Sequence, residues 1–154
     1  MPRESFTNST PSKPASGVIV ALILSHSRLA GEPSHASDSA EALRLARRIV
    51  DLASDKQASD IVLLDIRGVS LIADYFVICT AGSERQASAI LKDLSERLLE
   101  EFGRKPLHTE GTPDSGWVLL DFGDVIVHVF SPAQRTFYNL EQLWAAATPI
   151  VRLQ

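Results

Sequence analysis

Two apolar runs, Trp117 to Phe122 and Val125 to Phe130, are separated by nothing but Gly123-Asp124. That spacing leaves the chain little choice. Runs of six residues are too short for a stable helix and suit strands. A two-residue Gly/Asp link between strands makes a tight hairpin. A lone hairpin is marginal in water, so the rest of the chain must supply more strands and a cover. Ile61 to Ile66 (IVLLDI) reads as a buried strand, and Tyr75 to Thr80 (YFVICT) as another. The link between them, Arg67 to Asp74, is short and makes them neighbours.

Helices fill the remaining stretches. Asp38 and Glu41 form a D-x-x-E start signal, and Ala42, Leu43, Ala46, Ile49, Val50 and Ala53 recur at helical spacing, which predicts a helix over about 39–55. Ser83 and Gln86 are the N-cap and N3 of a capping box for a second helix. Ile90, Leu91, Leu94, Leu98 and Phe102 form its apolar stripe, and Gly103 closes it. Pro106 to Ser115 reads as a polar loop. Ser131 and Pro132 open a third helix, with Phe137, Leu140 and Trp144 on its apolar face and Pro149 as its end. The order is therefore αββαββα, an α/β domain with a mixed central sheet and flanking helices. The length, 154 residues, suits one core.

The first 37 residues differ in character. Ser5 to Ser16 is rich in Ser, Thr and Pro and too polar to build a core, so residues 1–37 read as a disordered or poorly ordered extension before a domain at 38–154. Inside the extension lies an apolar run, Gly17 to Leu24 (GVIVALIL). It fits a tail, a docking segment for a partner or sheet edge, or part of a targeting peptide. No apolar stretch approaches the roughly 20 residues that span a bilayer.

Charge excludes one broad class. The net charge is −4, with +1 in residues 1–37 and −5 in residues 38–154. No global basic field exists to grip a phosphate backbone, and DNA is not an expected partner. If the domain meets a ribosome, its first contact is expected to be a basic protein. The single cysteine, Cys79, excludes an internal disulfide and reads as a small buried hydrophobe.

Bond-making chemistry finds little to work with. Gly82-Ser83 before a helix raises nucleotidyl transfer, which needs paired carboxylates to hold two Mg²⁺ ions. Asp93 lies mid-helix with no second carboxylate beside it, and Asp121 and Asp124 flank a turn. Ser83 is more simply a cap. Asp121 and His128 face the hairpin turn from opposite strands and invite a triad with Ser83, yet Ser83 is on no G-x-S-x-G elbow. His128 alternates with Val127 and Val129 and reads as a sheet histidine satisfied by a neighbour. By contrast, Trp117, Phe122, Arg135, Tyr138, Glu141 and Trp144 are of types that anchor protein interfaces or fill cores.

Three blocks carry a family resemblance. Asp74 to Ser83 with Arg85-Gln86 resembles a D-Y-F-V-I-x-T-G-x-S-x-R-Q pattern. Glu110-Gly111 and then Gly116 to Phe130 resemble E-G…W-V-L-L-D-[YF]-G-D-V-[IV]-V-H-V-F. Arg135-x-Phe137-Tyr138-x-Leu140-Glu141-x-Leu143-Trp144 resembles R-x-F-Y-x-L-E-x-L-W. Together they resemble the ribosomal silencing factor S (Iojap-like) family. The departures are the front extension and Ala81, where the pattern more often has Gly.

The resemblance implies a fold similar to nucleotidyltransferases without catalytic metal ligands, and a cytoplasmic protein that is no enzyme. It implies no cofactor, no metal and no membrane. The expected partner is the large ribosomal subunit, through its protein number fourteen, on the face where the small subunit docks. Occupying that face would block subunit joining and repress translation when nutrients are short. Homodimers off the ribosome are a family habit, and organellar relatives assist large-subunit assembly, which is the alternative role. On this basis Trp117, Asp121, Arg135, Tyr138 and Glu141 are the expected contacts, with Trp117 as hydrophobic anchor. Asp74, Ser83, Arg85, Glu110 and His128 are expected to hold the hairpin and the second helix's N-terminus.

Overall fold

The computed structural model describes residues 36–154. Residues 1–35 of the extension, GVIVALIL included, lie outside the described residues. The chain runs through α1 (Ala36–Asp55), β1 (Ser59–Asp65), β2 (Tyr75–Thr80), α2 (Glu84–Phe102) and β3 (His108–Glu110). A 3-10 turn at Pro113–Ser115 leads to β4 (Trp117–Asp121), β5 (Val125–Phe130), α3 (Pro132–Tyr138), α4 (Leu140–Leu143) and β6 (Thr148–Leu153).

The six strands form one mixed sheet in the order β3-β4-β5-β2-β1-β6. β1 and β2 pair antiparallel as neighbours, and β4 and β5 make the expected hairpin. β2 and β5 lie side by side in parallel, Tyr75 opposite Val125 and Thr80 opposite Phe130. Such a parallel pair needs a long crossover. Here α2, β3 and β4 supply it.

The sheet's two faces are covered differently. α1 and α2 lie on one face, over Ile61, Leu63, Tyr75, Val77, Cys79, Val118, Leu120, Val125, Val127 and Val129. α1 buries Ala42, Leu45, Ala46, Ile49 and Val50, and α2 buries Ile90, Leu94 and Leu98. Cys79 is fully buried there, and burial pushes its thiol up to about 12. The opposite face carries Val62, Leu64, Phe76, Ile78, Trp117, Leu119, Ile126 and Phe130. Among the described residues no long helix covers it. Leu140, Trp144 and Ala147 from the C-terminal turns do so instead.

Four expectations change. Asp38 is no N-cap: α1 begins two residues earlier, and Asp38 sits in its first turn, where the helix dipole favours a carboxylate. The expected loop at 106–115 contains β3, whose sequence, His-Thr-Glu, has no apolar pattern to announce it. The expected third helix is two. It breaks at Asn139, which takes φ 45°. Asn tolerates that left-handed conformation better than most residues, and it caps α3 from there. Finally, Pro149 does not end a helix. It lies in β6, an edge strand, where a missing N–H is tolerated. The element order thus gains two strands and one helix over αββαββα.

Candidate interaction surface

The face without long helices holds most of the residues singled out from the sequence. At its centre Trp117 donates its indole N–H to His128 Nδ1 at 3.1 Å. His128 is thereby a sheet histidine with a neighbour on one of its two ring nitrogens. Burial first, then the Arg135 charge, pull its pKa down to about 3, so the ring is neutral at ordinary pH. With Nδ1 accepting, the ring hydrogen sits on Nε2. That atom is buried and has no hydrogen-bond partner among the described residues.

Around this pair the rings pack edge and face. Phe76 lies 4.7 Å from His128 and 5.2 Å from Trp144, centroid to centroid. Trp117 lies 4.9 Å from Phe130 and 4.5 Å from Tyr138. Trp117, expected to be a partner's hydrophobic anchor, is only 1% exposed. The C-terminal turns fold over it, so it supports the surface from beneath and cannot itself be the point of contact. Trp144 is buried as well.

Arg135 and Glu141 form a second tie. Arg135 donates from Nη2 to Glu141 Oε2 at 2.7 Å and from Nε to Oε1 at 3.2 Å. Its Nη1 donates to Thr80 Oγ1 at 2.7 Å. The arginine side chain is 10% exposed, so its fork is largely spent inside the protein. Burial alone would raise the Glu141 carboxyl, but the Arg135 hydrogen bonds and charge, with a backbone hydrogen bond and the Arg152 charge, together outweigh it and hold the pKa below its usual value. Six residues apart, the two would point well away from each other on one continuous helix. The break at Asn139 is what brings them together. The tie therefore pins α3 and α4 to each other and to the end of β2.

What remains exposed is the outer side of α3. Phe137 is 61% exposed, against the expectation that it lies on the apolar face with Leu140 and Trp144. Its ring meets Tyr138 edge-on at 4.9 Å. Tyr138 is half-buried, with burial raising its hydroxyl pKa. Exposed and half-buried aromatic side chains are among the residue types from which protein interfaces draw their anchors.

Asp121 closes β4 and is half-buried. Its Oδ1 accepts from the Gly123 N–H at 2.7 Å, which fixes the hairpin turn. Gly123 takes φ 95° there, a conformation that favours glycine. Asp124 faces elsewhere, accepting from Arg104 Nη2 at 2.7 Å. Arg104 also reaches the Phe122 carbonyl, and nothing in the sequence pattern marked it.

The supporting residues are placed as follows. Asp74 donates its backbone N–H to the Asp124 carbonyl at 2.8 Å, and burial, then nearby Asp124, raise its carboxyl pKa. Ser83 caps α2, its Oγ accepting from Gln86 N at 3.0 Å. Gln86 Oε1 accepts from the Gly82 N–H, and its Nε2 donates to the carbonyls of Lys56 and Gln57, joining α2's start to the turn after α1. Glu110 lies in β3 opposite Leu119. Beside it Gly111 is obligatory, since a Cβ there would collide with the Trp117 carbonyl. The Arg85 side chain is exposed and, among the described residues, makes no ion pair or hydrogen bond.

The structure does not assemble the triad raised by the sequence. Ser83 caps a helix, His128 bonds Trp117 and Asp121 bonds Gly123. Among the described residues no three of His, Cys, Asp and Glu cluster as metal ligands. No described helix is long and apolar enough to cross a membrane.

Residues 38–154 match the family described as "Ribosomal silencing factor during starvation". A relative from Halalkalibacterium halodurans, named "Ribosomal silencing factor RsfS", is 46% identical over 114 residues, which are 74% of this chain and 93% of the relative. A Zea mays relative, "Protein Iojap, chloroplastic", is 40% identical over 118 residues, 75% of this chain and 50% of its own length. Among solved structures, one from Bacillus halodurans superposes with a TM-score of 0.58 at 41% identity, covering 72% of this chain and 97% of that one. One from Chromobacterium violaceum gives 0.63 at 31% identity, covering 68% and 86%.

Proposed function

Because this chain belongs to the ribosomal silencing factor family, we propose that it docks on the large ribosomal subunit and keeps the small subunit from joining. The contact is the large subunit's protein number fourteen. The consequence is repression of translation when nutrients run short. The observation that carries this reading is the span of the family match, residues 38–154, which takes in all three sequence blocks and every strand and helix described except the first two residues of α1.

The mechanism is steric. A patch of roughly 800 Å² per partner suffices for specific association. Phe137 and Tyr138 form its aromatic centre, and Asp121 supplies a carboxylate for Lys or Arg. Arg135 and Glu141, expected as contacts, act mainly by holding α3 and α4 in place, with Trp117 and His128 beneath them. The acidic balance of residues 38–154 favours encounter with a basic ribosomal protein. No covalent step is part of this reading. Its site of action is the cytoplasm, as for bacterial ribosomes, although the plant relatives are named chloroplastic. The free protein is expected to form homodimers.

Co-sedimentation tests it. Purified protein is expected to travel with isolated large subunits and to bind isolated protein fourteen in a pull-down. Failure on both counts would end the proposal. Binding to protein fourteen without any block of joining would favour the assembly role.

A further inference from the structure

Beside the exposed side of α3 the molecule holds a cavity that the docking reading leaves unused. Its volume is about 280 Å³, and it lies where the parallel pair β2 and β5 ends, between the first turns of α2 and α3 and the 3-10 turn at Pro113–Ser115. Pockets for drug-sized molecules run from roughly 300 to 1,000 Å³, so this one suits a single side chain. Its floor is apolar: Ala87, Val118 and Val129 line it and are buried.

Its rim is acidic. Glu84 and Asp114 line it as exposed carboxylates, and no Lys, Arg or His is among the lining residues. Among the described residues Glu84 makes no ion pair, and Asp114 accepts only from the Thr112 hydroxyl, at 2.6 Å. The amino end of α2 opposes a cation here, but Glu84 in its first turn offsets that dipole. An anion would meet two carboxylates and no counter-charge.

Gln134 adds a second signal. Its Oε1 is buried and has no hydrogen-bond partner among the described residues. The side chain lies against Gly116, where a Cβ would stand 2.6 Å from Gln134 Cγ. A buried acceptor without a donor is a cost that an incoming N–H would remove. Turning the carboxamide into the cavity breaks no side-chain hydrogen bond among the described residues. The cavity therefore asks for an aliphatic stem on its floor and a cationic, N–H-bearing head at its rim. Lysine and arginine side chains are built that way.

The mouth adjoins the aromatic patch. Ala133 lines the cavity and is exposed, and Phe137 follows it by four residues on the same side of α3, about 6 Å along the helix. A partner resting on Phe137 thus has the cavity within reach of one side chain.

We propose that this cavity receives a lysine or arginine side chain of the basic protein on which the chain docks, an inference that rests on the docking reading above. The stem lies on Val118 and Val129, and the head meets Glu84, Asp114 and Gln134 Oε1. Phe137 supplies contact area, while the cavity fixes the partner's orientation.

Two measurements test this. In the first, large-subunit binding is compared at one ionic strength for the native protein, Glu84→Gln/Asp114→Asn and Asp51→Asn/Glu100→Gln. The last pair changes net charge equally, at exposed carboxylates on α1 and α2 that do not line the cavity. The cavity variant should bind at least tenfold more weakly, and the control within twofold of native. Equal weakening of both would mean a general field, and no weakening of either would mean an idle cavity; each overturns the proposal. The second needs no ribosome. Native protein is titrated with n-butylguanidinium, then with n-butanol, and amide resonances are followed. Saturable shifts at Val118, Val129 and Ser131 with the cation alone are expected. Shifts absent from these residues, or equal with the alcohol, would overturn the site. Native protein that takes the cation there yet never binds large subunits would sink the docking reading, and with it the assignment of the partner.

Discussion

The two faces of the sheet are built for different ends. The face under α1 and α2 is mainly aliphatic, from Ile49 and Leu98 on the helices to Val77 and Val127 on the strands, with Tyr75 and Phe122 among them. The face under α3 and α4 is aromatic and holds buried polar groups: His128 bonded to Trp117, and Arg135 bonded to Glu141 and Thr80. An aliphatic core tolerates change as long as volume is conserved. A polar network must keep each partner or leave a desolvated group behind. The first face secures the fold. The second positions a small exposed patch with little room for slack.

Substitutions break or sharpen that contrast. Trp117→Ala should have the largest effect, removing about 3–5 kcal/mol of stability and leaving His128 Nδ1 unpaired as well. Urea denaturation measures it, and an unchanged midpoint would show that Trp117 is no part of the core. Leu98→Ala on the aliphatic face should cost about 2–5 kcal/mol, yet the folded protein should still bind large subunits at native affinity. Binding lost from a fully folded Leu98→Ala protein would erase the distinction between the faces.

Arg135→Ala should be milder in stability, about 1–3 kcal/mol, because Glu141 keeps some access to solvent. It should also weaken binding, since α3 loses its tie. The sign with pH follows from Glu141, whose folded pKa is depressed. Its contribution is fully present above the ordinary carboxyl value, about pH 4.3, and is lost as pH falls through the folded value. The stability gap between the native protein and Glu141→Gln should therefore close in acid. A gap that widened below pH 4 would contradict the pairing. Phe137→Ala should be nearly silent in stability, within about 0.5 kcal/mol, while weakening large-subunit binding at least tenfold. Sedimentation with a thermal melt reads both.

Much of this was legible in the sequence, and the rest was hidden for identifiable reasons. The strands at 75–80 and 125–130 announced themselves through uninterrupted apolar runs bounded by turn residues. The second helix showed both caps, Ser83 and Gly103, and the structure has both. β3 was not visible, because three polar residues at an edge carry no hydrophobic period. β6 was masked by Pro149, which argues against a strand unless the strand is known to be an edge. The site was harder still. Helical spacing carried through the break at Asn139 put Phe137 inside with Leu140 and Trp144, whereas it is exposed. Trp117 was expected outside for its residue type and the resemblance alone, and it lies buried under Tyr138 beside Phe130. Asn139 itself was the available signal, as the residue type that leaves a helix through positive φ most readily after glycine.

The most direct test follows light scattering as large and small subunits are mixed. With native protein at saturation, joining should be strongly slowed, and Phe137→Ala at the same concentration should restore most of the rate. Subunits that join at their normal rate in the presence of saturating native protein would contradict the account.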